Sequence, residues 1–107
     1  MTAQKLYVVV RGDLTPGPQA VQAMHSFRQF VHEHPERERR WFLESNHLAL
    51  LSVPGPRDLA LLQREAALRG LPFSGFDEPD MGGERTSITL SPEARGLCAR
   101  LPLALRV

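Results

Sequence analysis

The sequence predicts an α/β fold built on a mixed sheet that is covered on both faces. Short β-branched apolar runs at Leu6–Val10 and His47–Val53 read as strands, and amphipathic helical patterns follow each of them. Strands alternating with helices call for βαβ units and a mainly parallel sheet. The last two strand-like segments are instead joined by a short turn at Gly82-Gly83, which lets them pair antiparallel and makes the sheet mixed.

Leu6-Tyr7-Val8-Val9-Val10 is a continuous apolar run, the pattern of a strand buried on both faces. It ends at Arg11-Gly12-Asp13, and Thr15-Pro16-Gly17-Pro18 forms a stiff loop that cannot continue a ladder. A helix is expected from near Pro18 to just before Pro35, with Ala20, Met24, Phe27 and Val31 facing the core. Glu36 to Arg40 is heavily charged and expected to be exposed, while Trp41-Phe42 must pack against something. The second strand, His47–Val53, closes at Pro54-Gly55-Pro56. A helix through Leu59, Leu62 and Ala66 stops at Gly70. Pro72–Phe76 reads as a weaker third strand, and the alternation of Thr86–Leu90 as a fourth. Ser91-Pro92 is an N-cap signature for a last helix carrying Leu97 and Leu101.

Composition narrows the function classes. The chain has 107 residues, 42% of them hydrophobic, which suits a single domain over 1–107 with one real core. A formal net charge of +1 gives no global basic field of the kind a nucleic-acid binder projects. Lys5 is the only lysine and Cys98 the only cysteine, so neither a disulfide framework nor a thiolate metal site is expected. The start of the chain lacks the apolar core of a signal peptide, and no run reaches bilayer-spanning length, so a cytoplasmic protein without a membrane partner is expected. There is no Walker loop, no Gly-x-Ser-x-Gly elbow and no convincing metal-ligand spacing, and His32, His34 and His47 need no special role.

Two features point to a site. In mixed sheets ligands sit beyond the carboxyl ends of the strands, where both the loop after the first strand and the acidic stretch Asp77-Glu78-Pro79-Asp80-Met81-Gly82-Gly83-Glu84 belong. Four carboxylates crowded beside a turn repel one another, and such groups serve as a general base or a cation rim. Gln22, His25 and Gln29, spaced three and four apart, share one face of the first helix and look toward the same crevice. Imidazole there suits proton transfer or donation to a developing oxyanion.

The run Val8-Val9-Val10-Arg11-x-Asp13-Leu14, a glycine-containing loop, and Ala20-Val21-Gln22-Ala23-Met24-His25-Ser26 resembles the opening of the type II peptidyl-tRNA hydrolase family. Gly70-Leu71-Pro72, the acidic segment at Asp77, Thr86 and Ser91-Pro92 resemble its second half, so the likeness spans residues 5 to about 101. The resemblance implies a three-layer α/β/α sandwich with a four-stranded mixed sheet, often dimeric, which admits a homodimer here. It also implies cofactor-free hydrolysis of the ester joining a peptide to tRNA. Gln22 and His25 match the family's helix glutamine and histidine. Asp77 is the best match for its acidic residue, with Asp80 as competitor, and Thr86 resembles a threonine leading into the last strand. Two departures stand out: Pro18 occupies the register of a family lysine, and Asp77-Glu78-Pro79-Asp80 replaces an Asp-Ala-Gly-x-Thr stretch.

The expected chemistry is ester hydrolysis on peptidyl-tRNA or a related aminoacyl ester. Asp77 or Asp80 orients water, directly or through Thr86, and His25 with Gln22 holds the carbonyl oxygen or a phosphate. Arg11 and Arg85 are candidates for tRNA phosphate contacts. The alternatives are an inactive family member that binds tRNA or a protein partner through the same crevice, and a dimer module. The apolar tail Leu101-Pro102-Leu103-Ala104-Leu105 packs on its own core or forms a subunit interface.

Overall fold

A computed structural model describes residues 4–106. Strand β1 (Lys5–Arg11) leads into α1 (Pro16–Glu33) and α2 (Pro35–Glu44). Then come β2 (His47–Val53), α3 (Pro56–Leu68), β3 (Phe73–Glu78), one 3₁₀ turn (Pro79–Met81) and β4 (Glu84–Leu90). A second 3₁₀ turn (Pro92–Ala94) runs into a single-turn helix, α4 (Arg95–Cys98). The fold is α/β on a four-stranded mixed sheet of order β2-β1-β4-β3. Among the described residues only β1 and β2 pair in parallel, rather than most of the sheet as expected; β4 is antiparallel to both neighbours. β1, β2 and β3 therefore end at one edge of the sheet, and β4 starts there.

The apolar run of β1 divides between the two faces, as strand alternation requires. Tyr7 and Val9 join Leu51, Val53, Leu59, Ala66, Ile88, Leu90, Ala94 and Cys98 in a core under α3 and α4. Leu6 packs with Phe30 and Trp41, and Val8 and Val10 with Ala23, under α1 and α2. Helices thus lie on both faces. Gly82 and Gly83, at φ 67° and 81°, occupy the left-handed region between β3 and β4, where a side chain would be strained.

Several elements differ from expectation. The charged stretch after Pro35 is a helix, α2, with Pro35 in its first turn and Glu36 and Glu38 complementing its N-terminal dipole. Trp41 is its buried residue; the indole N–H donates to the His47 carbonyl at 2.6 Å, whereas Phe42 stays 56% exposed. Leu101 lies beyond α4 rather than on it, and Ser91 makes no side-chain cap bond. The apolar tail packs on its own chain: Ser52 N–H donates to the Pro102 carbonyl and Ala104 N–H to that of Leu50, closing part of the outer edge of β2.

The largest correction concerns α1. Its buried residues are Gln19, Gln22, Ala23, Ser26 and Phe30, and Met24 is 64% exposed instead of facing the core. The reason lies in the sheet beneath it. α1 lies across β3 and β4, whose facing side chains Ser74, Thr86, Ser87 and Thr89 are buried and polar. Buried hydroxyls need partners, so the polar side of the helix turns inward. Ser26 and Thr89 hydroxyls bond at 2.9 Å, Ser87 Oγ donates to the Gln22 carbonyl at 2.6 Å, and Ser74 Oγ donates to Glu33.

Removing one member of a buried hydroxyl pair strands the other, at a cost of about 1–3 kcal/mol. Ser26→Ala should therefore destabilise the protein by about that amount in urea unfolding. The double variant Ser26→Ala/Thr89→Val should recover most of the loss; strictly additive losses would show that the pair is not coupled.

Candidate functional site

The sheet edge where β1, β2 and β3 end is organised by Arg11. Its side chain is only 6% exposed and meets Asp13 at 2.7 Å and Glu84 at 2.9 Å, binding the end of β1 to its own loop and to the start of β4. The guanidinium holds the Asp13 carboxyl below its ordinary range, and both carboxylates hold the guanidinium in its charged form.

Above this clamp the β3–β4 ladder slips. Phe76 faces Ser87 and Asp77 faces Arg85, which leaves Thr86 as an extra residue in β4. The bulge lets Thr86 and Ser87, neighbours in sequence, both reach α1. Thr86 Oγ1 donates to the Gln22 amide oxygen, and the same amide donates through Nε2 to Glu78 Oε1 at 2.9 Å. Both ends of the amide are engaged, so its orientation is set, and Gln22 is 5% exposed. Glu78 accepts a second bond at Oε2, from the Asp80 backbone N–H at 3.3 Å. These bonds, Gln22 foremost, hold the Glu78 carboxyl below its ordinary range, and the nearby His25 adds to the effect. His25 is exposed and stacks face to face on Phe76, with ring centroids 4.1 Å apart and planes inclined by 7°.

Four residues thus come together on the α1 side: Gln22, His25, Glu78 and Thr86. Of the expected site residues, Gln22, His25 and Thr86 are in this group. Asp77 is not. It alternates with Phe76 and Glu78 and projects to the α3 side, where Arg85 binds it at 2.8 Å and reaches Gln63 at 2.6 Å. Arg85 keeps the Asp77 carboxyl low, and its guanidinium lies over Gly75, where an added Cβ would come within 2.2 Å of it. Asp80 is exposed and enters the cluster only through its backbone. Arg11 and Arg85 are both engaged by carboxylates, and Gln29 bonds Glu33. Glu78 is the residue that sequence reasoning passed over. Strand parity could have found it, since 74, 76 and 78 share a face and Phe76 is apolar.

No protein-family model matches this chain, and no curated protein does. Among the described residues, no three His, Cys, Asp or Glu side chains gather in a metal-binding arrangement. Burial pushes the Cys98 thiol up to about 12, so it is held as an inert thiol in the core. No helix is long and apolar enough to cross a membrane among the described residues.

Asp13, Glu33, Asp77 and Glu78 all have carboxyl groups lowered in the folded state. The native protein binds fewer protons than the unfolded chain in this range. Their stabilisation is complete above the ordinary values of 3.8 and 4.5 and is lost as pH falls through the folded ones. Gln22→Leu removes the first cause at Glu78. A carboxyl ¹³C titration should then return Glu78 toward 4.5 while leaving Asp77 unmoved; an unchanged Glu78 would show that Gln22 does not hold it.

Proposed function

We propose that this chain is a cofactor-independent esterase that cleaves the ester bond of peptidyl-tRNA or a related aminoacyl-tRNA. One observation carries the reading: an ionised carboxylate, Glu78, fixed by the Gln22 amide, lies near an imidazole, His25, at the carboxyl edge of the sheet. Ester hydrolysis needs a water aimed at the carbonyl carbon and a donor for the oxyanion that develops. Glu78 binds and orients the water. With its lowered pKa it stays charged but is a weak base, so it acts by position and charge. The attacking water gives its proton to the ring edge of His25; the imidazolium so formed holds the oxyanion and then passes the proton to the ribose oxygen as the ester C–O bond breaks. Gln22 positions Glu78, and Thr86, fully buried, positions Gln22.

The resemblance to type II peptidyl-tRNA hydrolases supplies the substrate class; of the residues that carry it, Gln22, His25 and Thr86 converge and Asp77 does not. The carboxylate role passes from Asp77 and Asp80 to Glu78. Arg11 and Arg85 are given to organising the edge, so phosphate contacts fall to cations such as the exposed Arg28 on α1, three residues beyond His25. A second reading, a non-catalytic binder of tRNA or of a protein partner through the same crevice, is favoured by Pro18. It is exposed where the family's lysine belongs. A homodimer and a cytoplasmic setting complete the proposal.

Purified protein should release the N-acetyl-amino acid from N-acetyl-aminoacyl-tRNA without added metal. Glu78→Gln and His25→Ala should each lower kcat by about 10²–10⁴, and Asp77→Asn should change it only a few-fold. Absence of turnover together with tight, salt-sensitive tRNA binding would replace the esterase with the binder. Loss of activity in Asp77→Asn but not in Glu78→Gln would move the water site to the other face of the sheet.

A further inference from the structure

The faces of the His25 ring are a separate resource from its edge. Phe76, half-buried at the end of β3, covers one face at 4.1 Å and nearly parallel, yet His25 remains exposed. With one face covered, the exposure belongs to the outer face and the rim. A flat ring backed by a second flat ring, open on its far side, is a platform on which a third ring can stack.

The surroundings select what stacks there. Glu78 stands beside His25 and is kept ionised, and the Asp80 carboxylate is exposed next along the turn. Arg11 and Arg85, the cations at the strand ends, are engaged by Asp13, Glu84 and Asp77, and the exposed Arg28 lies a turn further along α1. A phosphate at this place would meet uncompensated negative charge, whereas a neutral aromatic ring meets none. The platform therefore fits an uncharged nucleobase better than a phosphate.

We propose that the His25–Phe76 pair is a stacking site for the nucleobase of the nucleoside that carries the ester; the identity of this ligand rests on the esterase reading. The base lies on the outer face of His25. The ribose then brings its ester to the ring edge and to Glu78, and the phosphate of that nucleotide points away from the acidic rim. Phe76 is the positioning residue that holds the platform flat.

The test is a titration of the whole protein with adenosine, uridine and adenosine 5′-monophosphate, read on the ring protons of His25 by NMR. Adenosine should move them upfield, uridine should bind more weakly, and the monophosphate no more tightly than adenosine. Phe76→Ala should weaken adenosine binding about fivefold or more, whereas Phe76→Trp should retain it, which separates loss of the platform from loss of the fold. Unmoved His25 signals at millimolar adenosine would overturn the proposal. Tighter binding of the monophosphate would overturn it too, as would a response to N-acetylphenylalaninamide alone, which assigns the face to the acyl group. The titration needs no turnover: adenosine stacking without hydrolysis leaves the platform standing and removes the esterase, and hydrolysis without stacking does the reverse.

Discussion

The side-chain amide of Gln22 is the interaction on which the arrangement of the edge depends. It receives a hydrogen bond from Thr86 and gives one to Glu78, so α1 is tied to both strands of the β3–β4 hairpin at one planar group. An amide is suited to this because it carries a donor and an acceptor in fixed relation. A leucine of similar volume would fill the space but would leave the Thr86 hydroxyl buried without its acceptor and Glu78 without its donor. The bulge in β4 serves the same bond. With regular alternation Thr86 and Ser87 would point to opposite faces, and α1 could be reached by only one of them.

Arg11 performs the complementary task on the charge of the same edge. Carboxylates crowded at the ends of strands repel one another, and a guanidinium spanning Asp13 and Glu84 removes much of that cost. Arg85 does so for Asp77. Glu78 is the carboxylate of this group left to neutral donors, Gln22 and a backbone N–H. Of the four carboxylates in the acidic stretch, Asp77 and Glu84 are neutralised by arginine, Asp80 stays exposed, and Glu78 is held by neutral donors near an imidazole.

Much of the fold was legible in the sequence, because its strands are written in strong local signals. The Leu6–Val10 run, the Gly82-Gly83 turn and the Pro35 break each have a single sensible reading, and all four strands are found, although β3 and β4 each run two residues further into the acidic stretch than Pro72–Phe76 and Thr86–Leu90. α2 was not legible as a helix because its core contribution is one residue, Trp41, and one buried side chain makes no period. The inward face of α1 was misjudged for a different reason. Hydrophobic periodicity assumes that a helix meets an apolar surface, and β4 presents Ser87 and Thr89 instead. At the site, Gln22 and His25 were legible from their spacing, but the choice among the carboxylates required knowing which strand face each occupies. Asp77 and Glu78 are adjacent in sequence and lie on opposite sides of the sheet.

The polar seam has a structural consequence elsewhere. To satisfy Thr86, Ser87 and Thr89, α1 sits across β3 and β4 and leaves the α1-side face of β2 uncovered. Val8, Ala20, Ala23, Met24, Phe27, Leu48 and Leu50 then line an open apolar groove of ≈ 260 Å³, and Leu48 is 53% exposed. Moving the helix over that groove would bury more apolar surface, the direction in which the hydrophobic effect acts. It would also separate Gln22 from Thr86 and Glu78 and strand several buried hydroxyls, each of which costs as much as a lost methylene or two gains. The observed placement is the one in which hydrogen-bond satisfaction outweighs apolar burial, and it is the same placement that brings His25 onto Phe76.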